Sequence, residues 1–176
     1  SVGFLIPETL ITTSKDALQS FYEDNHPIVA KLLGGFGKIA ESEQRFWTIY
    51  TNPVTQDDLK RADSIRYAPA IFQRSIPKAY EIRVTAVGNR LFACKIDSQA
   101  SNRTCTDWRR YDFHNVPHSK IELPDSVTEK LLLILQHFDI QFASFDLAFT
   151  PKGEYVFFEM NPNSQWVWIE TVAEIP

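Results

Sequence analysis

Two carboxylates and a carboxamide lie close together near the end of the sequence. Asp146 falls in the apolar run 145–149, and Glu159 and Asn161 fall in the second apolar run 155–163. The Thr-Pro-Lys-Gly stretch at 150–153 has Pro and Gly at the second and fourth positions of a type I turn. The two runs therefore predict a β-hairpin that brings three oxygen ligands together. Such ligands suit Mg²⁺.

The register of this hairpin decides whether the two acids meet. A two- or four-residue loop, or a bulge that restores the same pairing, places Asp146 opposite Glu159 with Cβ atoms about 5 Å apart. A three-residue loop would place Asp146 opposite Phe158 and separate the acids. We expect the first arrangement. The competing interpretation is a pair of carboxylates at strand ends, either solvated or bound to a lysine.

Alternation along the second strand predicts how well the acids are sheltered. Since side chains alternate between faces, the residues near Glu159 and Asn161 are expected to be largely apolar on both faces, so the strand should be covered on both sides. Sheltered acids repel unless a cation or a proton joins them. The predicted faces are Tyr155, Phe157, Glu159 and Asn161 on one side and Val156, Phe158 and Met160 on the other.

Three cationic features could bind anions. Lys31 precedes a glycine-rich stretch at 34–38, which could cradle a phosphate although it is not a Walker A loop, or could be an ordinary surface turn. Glu81 and Arg83 share a strand face, which fits either a cross-strand ion pair or a ribose contact with an anion clamp. Arg109 and Arg110 lie in the polar stretch 99–124 and form either an anion site or a solvated loop.

Composition excludes several classes of protein. The 176 residues carry a net charge of -4, which argues against a protein that neutralises nucleic-acid phosphates. No apolar stretch reaches about 18 residues, so no membrane-spanning segment is predicted. No signal peptide is visible, and we expect a cytoplasmic protein. Cys94 and Cys105 lack metal-site spacing; they could form a single disulfide, but we expect reduced thiols.

The elements that must position these residues follow from periodicity and turn residues. Residues 1–74 are predicted to form a small α+β lobe with the glycine-rich stretch as its lid, and residues 75–176 a mostly stranded large lobe with the acid-bearing hairpin. Predicted helices are 14–25, 56–62 and 125–138, and predicted strands besides the hairpin are 28–33, 45–51, 70–74, 81–87 and 90–96.

Taken in order, these features resemble the ATP-grasp superfamily, and most closely its microviridin-type (graspetide) ribosomal peptide maturases. The resemblance is carried by residues 3–12, 77–88, 96–99, 107–112 and 158–163. It implies an α+β ATP-grasp fold, in which two lobes with a largely antiparallel sheet grip the nucleotide between them. It also implies that an N-terminal domain and the C-terminal end are missing, and that the full-length protein is a homodimer.

The resemblance also implies roles for individual residues, with ATP and Mg²⁺ as cofactors. Arg83 would steady the transferred phosphate, Glu81 would bind the ribose, and the arginine pair would face an anion. The nucleotide-binding set would be Lys31, Gly34, Gly35, Gly37, Gln73, Arg74, Ile76 and Glu81; the catalytic set Arg83, Arg109 and Arg110; and the metal ligands Asp146, Glu159 and Asn161.

The activity implied is ATP-dependent ligation within a ribosomal precursor peptide. An Asp or Glu side chain would become an acyl phosphate and then join a Ser, Thr or Lys side chain as a macrocyclic ester or amide. No nucleic-acid or membrane partner is expected. Three alternatives remain: a ligase that adds free amino acids to a protein or peptide, a catalytically silent nucleotide-binding module, and a structural α+β domain whose carboxylates merely pair with Lys and Arg.

Overall fold

The computed structural model describes residues 2–33, 37–42 and 45–174, with residues 37–42 and 45–48 described in their backbone only. The chain divides into two compact units. Pro7–Ser75 forms one unit, and the described residues before and after it form the other. The sequence-based division after residue 74 lies one residue before the observed boundary, and it assigned the first six residues to the wrong unit.

The unit Pro7–Ser75 contains a four-stranded sheet in the order β1-β6-β2-β5 and a separate β3-β4 hairpin. Its core packs around Leu18, Ile28 and Phe72. The first helix begins where predicted, because the Ser14 hydroxyl accepts a hydrogen bond from the backbone N–H of Ala17 at 3.3 Å. The elements are β1 (Thr9–Thr12), α1 (Lys15–Asn25), β2 (Ile28–Leu32), β3 (Gly37–Ser42), β4 (Arg45–Ile49), β5 (Asn52–Pro53), α2 (Gln56–Lys60) and β6 (Ala70–Arg74).

The second unit is built on a five-stranded sheet in the order β11-β10-β7-β8-β9, with antiparallel pairing throughout. One face of the sheet packs against a single long helix. Within the described residues, every helix is too short or too polar to cross a bilayer. The elements are β7 (Tyr80–Val87), β8 (Arg90–Ile96), β9 (His118–Ile121), α3 (Asp125–Phe138), β10 (Phe142–Phe149), β11 (Tyr155–Asn161) and α4 (Val167–Ala173).

The two faces of this sheet are chemically different. Val84 and Phe145 point to the α3 face, where they pack with Leu131 in the apolar core. These three side chains have no solvent exposure. The intervening residues of β7 and β10 point the other way and carry the polar side chains. That second face is partly covered by a smaller apolar cluster around Trp108 and Ile169. The sheet therefore uses one face for stability and leaves the other for a polar site.

The predicted elements are largely the observed ones. Helix α3 and strands β6 and β8 have the predicted bounds, and the other predicted helices and strands differ by a few residues at their ends. The prediction missed four short strands, β1, β3, β5 and β9. Three of them, β1, β5 and β9, are sheet edges, where a strand pairs on one side only and needs little apolar patterning.

Candidate functional site

A buried ion pair joins the two central strands of the second unit. Arg83 on β7 pairs directly with Asp146 on β10, and the Arg83 Nη1 donates to Asp146 Oδ2 at 2.7 Å. Their relative exposures are 7% and 8%. At that burial, either charge alone would be costly, and the pair offsets the cost. This contact agrees with the cross-strand ion pair that the sequence offered as one of two interpretations.

The predicted hairpin register is confirmed. Asp146 pairs with Glu159, and a bulge follows, because Leu147 pairs with Phe157 and leaves Phe158 as the extra residue. Gly153 donates to the Thr150 carbonyl at 3.0 Å and has a φ of +84°, which suits glycine at the end of the turn.

The predicted shelter of Glu159 is wrong. Glu159 is exposed, and Asn161 is half-buried. The bulge is the physical reason for a related error in the assignment of faces. The extra residue reverses the alternation, so Phe157 and Met160 both pack into the α3 core while Glu159 and Asn161 lie on the face of Asp146.

The oxygen ligands on this face fit a divalent cation. Asp146 uses Oδ2 for Arg83, while its buried Oδ1 has no hydrogen-bond partner in the part of the chain that is described. A buried carboxylate oxygen without a donor is suited to a cation. Asn161 Oδ1 accepts from the Asn163 backbone at 2.9 Å, which fixes the amide. No three His, Cys, Asp or Glu side chains cluster for a metal among the described residues, so the set depends on the amide and on one exposed acid.

A second buried ion pair, which the sequence analysis missed, holds Glu81. Lys78 Nζ lies 2.8 Å from Glu81 Oε1, and the two side chains are 9% and 8% exposed. Burial raises the pKa of Glu81, while the charge and hydrogen bond of Lys78 act in the opposite direction. The sequence did contain a signal for this pair, because a lysine stands three residues before an acid on a strand that was predicted to be buried.

The same lysine also contacts the segment that carries the arginine pair. Lys78 Nζ donates to the Thr106 carbonyl at 3.1 Å, immediately before Asp107. Asp107 in turn holds Arg109 through two hydrogen bonds of 2.8 Å, from Nε and from Nη2. Lys78 therefore connects the Glu81 carboxylate to the backbone that presents Arg109.

Arg109 is electrostatically coupled to the acids of the hairpin. Its hydrogen bond to Asp107 raises the pKa of the guanidinium, and the charges of Glu159 and Asp146 add to that effect. Trp108 immediately precedes Arg109, and the centre of its ring is 5.9 Å from the Arg83 guanidinium. The predicted residues Glu81, Arg83, Arg109, Asp146 and Glu159 thus belong to one electrostatic group. Arg110 is half-buried on the same short helical turn.

The predicted nucleotide residues of the unit Pro7–Ser75 are only partly brought together. Lys31 Nζ donates to Gln73 Oε1 at 2.8 Å, and Gln73 Nε2 donates to Thr9 Oγ1 at 2.9 Å. All three side chains lie on the sheet face opposite the apolar core, because Thr9 and Val29 both pair with Gln73. This places a lysine ammonium and a buried amide within one polar cluster.

The remaining predicted residues contribute less to a site. Gly34 and Gly35 lie outside the described residues, and Gly37 begins β3, where only the backbone is described. Arg74 is exposed, and its backbone N–H donates to the Glu8 carbonyl at 2.9 Å. Ile76 is half-buried and begins the second unit.

Solved structures similar to this chain identify its fold. One match is an ATP-grasp ligase from Chryseobacterium gregarium that is associated with a ribosomally synthesised and post-translationally modified peptide (RiPP). It matches with a TM-score of 0.90 and 31% identity, over 98% of this chain and 51% of its own. The chain has the ATP-grasp fold. Neither a protein-family model nor a curated protein matches it.

Two microviridin-type macrocyclases give the same result. MdnC from Microcystis aeruginosa MRC matches with a TM-score of 0.83 and 30% identity, over 97% of this chain and 51% of its own. MdnB from the same organism matches with a TM-score of 0.72 and 33% identity, over 99% of this chain and 52% of its own. These matches confirm the resemblance to the microviridin-type ATP-grasp enzymes. The ATP-grasp chain described here spans about half the length of these relatives.

Proposed function

We propose that the protein containing this chain is an ATP-dependent ligase that activates a carboxylate of a ribosomal precursor peptide. The observation that carries the proposal is the polar face of the second sheet, where Glu81, Arg83 and Asp146 are buried side by side and Glu159 is paired opposite Asp146. The similar structures support the choice of substrate, since MdnC was solved with its precursor peptide MdnA, and the C. gregarium ligase with ADP and a leader and core peptide.

The nucleotide contacts can be proposed residue by residue. Lys31 would hold the α- and β-phosphates, with the glycine-rich stretch 34–38 closing over them. Gln73, Arg74 and Ile76 would meet the adenine, partly through backbone groups, and Glu81 would accept hydrogen bonds from the ribose hydroxyls.

Asp146, Glu159 and Asn161 would hold Mg²⁺. When bound, Mg²⁺ supplies positive charge to the phosphate oxygens and so stabilises charge that develops during transfer. We propose Oδ1 of Asp146 as the first ligand, because it has no hydrogen-bond partner among the described residues and Oδ2 already accepts from Arg83. Glu159, being exposed, would change its surroundings most when a cation binds.

The cationic side chains then account for the chemistry. A substrate carboxylate oxygen attacks the γ-phosphorus, the bond to the β–γ bridging oxygen breaks, and ADP leaves. Arg83 would orient the transferred phosphoryl group, and Arg109 and Arg110 would orient the substrate carboxylate. A Ser or Thr hydroxyl or a Lys amine of the peptide attacks the acyl phosphate, and inorganic phosphate leaves with formation of the ester or amide.

The mass of the product tests this function. The complete protein is incubated with ATP, Mg²⁺ and a Ser/Thr/Asp/Glu-rich peptide encoded beside its gene. We expect the peptide to lose one water per link, and heavy oxygen placed in its carboxylates to appear in the released phosphate. A gain in mass equal to an added amino acid would instead establish the amino-acid ligase, and an unchanged peptide with no ADP formed would contradict the proposal.

The assembly and location of the protein also remain proposals. We infer a homodimer from the resemblance to the peptide maturases, with a cytoplasmic location and with the peptide and ATP as its partners. Light scattering of the complete protein measures its oligomeric state directly, and the mass of a single chain would contradict the homodimer.

A further inference from the structure

The polar face of the second sheet continues into a pocket that none of the proposed nucleotide or metal contacts uses. Its volume is about 360 Å³, enough for a large side chain. The strand pairings Thr85 with Phe92 and Val87 with Phe142 place its floor on the sheet face of Arg83. The lining residues are Thr85, Val87, Phe92 and Phe142 of the sheet, Trp166 immediately before α4, and Ile169 and Glu170 of α4.

A buried hydroxyl in this lining has no partner. Thr85 is 6% exposed, and its Oγ1 makes no hydrogen bond with any described residue. A buried polar atom of this kind costs free energy unless a ligand satisfies it. Half of the remaining lining residues are aromatic, namely Phe92, Phe142 and Trp166. The pocket therefore offers ring surfaces together with one unsatisfied hydroxyl.

The position of the pocket indicates which molecule would reach it. Along one face of β7 the order is Glu81, Arg83, Thr85, Val87, at about 7 Å per step of two residues. If Glu81 binds the ribose and Arg83 the transferred phosphate, the next position is on the side where the acceptor of the phosphate must lie. The pocket thus adjoins the peptide, not the nucleotide. Exposed Glu170 in its lining disfavours an acidic occupant.

We propose that this pocket binds an aromatic side chain of the peptide, close in sequence to the carboxylate that is activated, with the Thr85 hydroxyl bonding to its polar group. The identity of the peptide as substrate rests on the function proposed above; the aromatic site itself does not. The pocket would set the register of the peptide, because an anchored ring fixes which neighbouring Asp or Glu reaches Arg83. Tyrosine fits best, since its ring matches the walls and its hydroxyl can satisfy Thr85.

The test uses three small probes on the complete protein: N-acetyl-tyrosine amide, N-acetyl-leucine amide and N-acetyl-glutamate amide, titrated by ligand-observed NMR. We expect the tyrosine probe to bind most tightly and the glutamate probe least. Val87→Trp should fill the pocket and abolish binding, whereas Leu133→Trp, at a residue that is also 50% exposed but lies on α3, should retain it. Thr85→Val should weaken tyrosine binding about fivefold without affecting the leucine probe.

Equal binding of the tyrosine probe to Val87→Trp and to the unmodified protein would overturn the proposal, as would equal affinity for the tyrosine and glutamate probes. Circular dichroism of each variant separates lost binding from lost folding. ADP with Mg²⁺ is titrated into the unmodified protein in parallel. Binding of ADP without aromatic binding refutes the pocket alone, while aromatic binding sensitive to Val87→Trp without ADP binding refutes the proposed function alone.

Discussion

The Lys78–Glu81 ion pair provides a quantitative prediction for Lys78→Met. Methionine keeps most of the apolar stem but removes the ammonium, so Glu81 loses its 2.8 Å partner. Because both side chains are less than a tenth exposed, solvent screens the pair weakly. Breaking a buried pair on one side costs about 3–5 kcal/mol. For a chain of this size we expect the melting temperature to fall by about 6–20 °C.

A double-mutant cycle with Glu81→Gln isolates the pair from other effects of the substitution. Lys78→Met should lower the free energy of unfolding much less in the Glu81→Gln background, because no buried charge then remains without a partner. The coupling energy between the two substitutions should be at least about 2 kcal/mol. Urea unfolding of the four proteins, followed by circular dichroism, measures it. If the losses of unfolding free energy in the two single mutants sum to that of the double mutant within about 0.5 kcal/mol, the reasoning is refuted.

The pH dependence of the same variant has a definite sign. The folded-state pKa of Glu81 is raised above its ordinary value of 4.5, so the stability that this group contributes is present below that value and is lost as the pH rises through the folded pKa. Without Lys78 the raising effect of burial is no longer opposed. The cost of Lys78→Met should therefore be smaller at pH 5 than at pH 8, and a cost independent of pH would contradict this assignment.

Three further predictions concern the surroundings of the site. Half-buried Cys105 should react with iodoacetamide at pH 8, whereas Cys94, fully buried and with its pKa raised by burial to about 11, should react only after unfolding; mass spectrometry of peptides distinguishes them. Leu131→Ala should destabilise the protein by about 2–5 kcal/mol, and exposed Leu133→Ala on the same helix by less than about 0.5 kcal/mol, measured by urea unfolding. Gly153→Ala should cost about 1 kcal/mol through its positive φ alone, because no described residue beyond its two chain neighbours has an atom within 4 Å of the added Cβ; Gly153→Asn should recover part of that loss in the same assay.

Much of the second unit could be predicted because its signals are local. The helix Asp125–Phe138 has a continuous apolar stripe, and the hairpin has a Pro/Gly turn between apolar runs, so both follow from sequence periodicity. The pairing of Asp146 with Glu159 could be anticipated only as one of two registers, because a bulge adds a residue without leaving a clear mark on the sequence.

What the sequence could not supply were contacts between segments far apart in the chain. The contact of Lys78 with the Thr106 carbonyl spans 28 residues and depends on how an irregular segment packs. The exposure of Glu159 was mispredicted because coverage of an edge strand depends on neighbours that no local pattern specifies. The free cysteines were expected, and both thiols are indeed unpaired by disulfides.

The most direct test of the central claim is calorimetric titration of ADP into the complete protein with and without Mg²⁺, repeated for Asp146→Asn and Glu159→Ala. Asp139→Asn is the matched control, since Asp139 is exposed and ends α3 in a left-handed conformation that asparagine also tolerates. We predict that Mg²⁺ strengthens ADP binding and that each site variant reduces the Mg²⁺-dependent gain roughly tenfold or more, while Asp139→Asn preserves it. ADP binding that is independent of Mg²⁺, or an Mg²⁺-dependent increase in ADP affinity that is unchanged in both site variants, would contradict the assignment of this face to a metal–nucleotide complex.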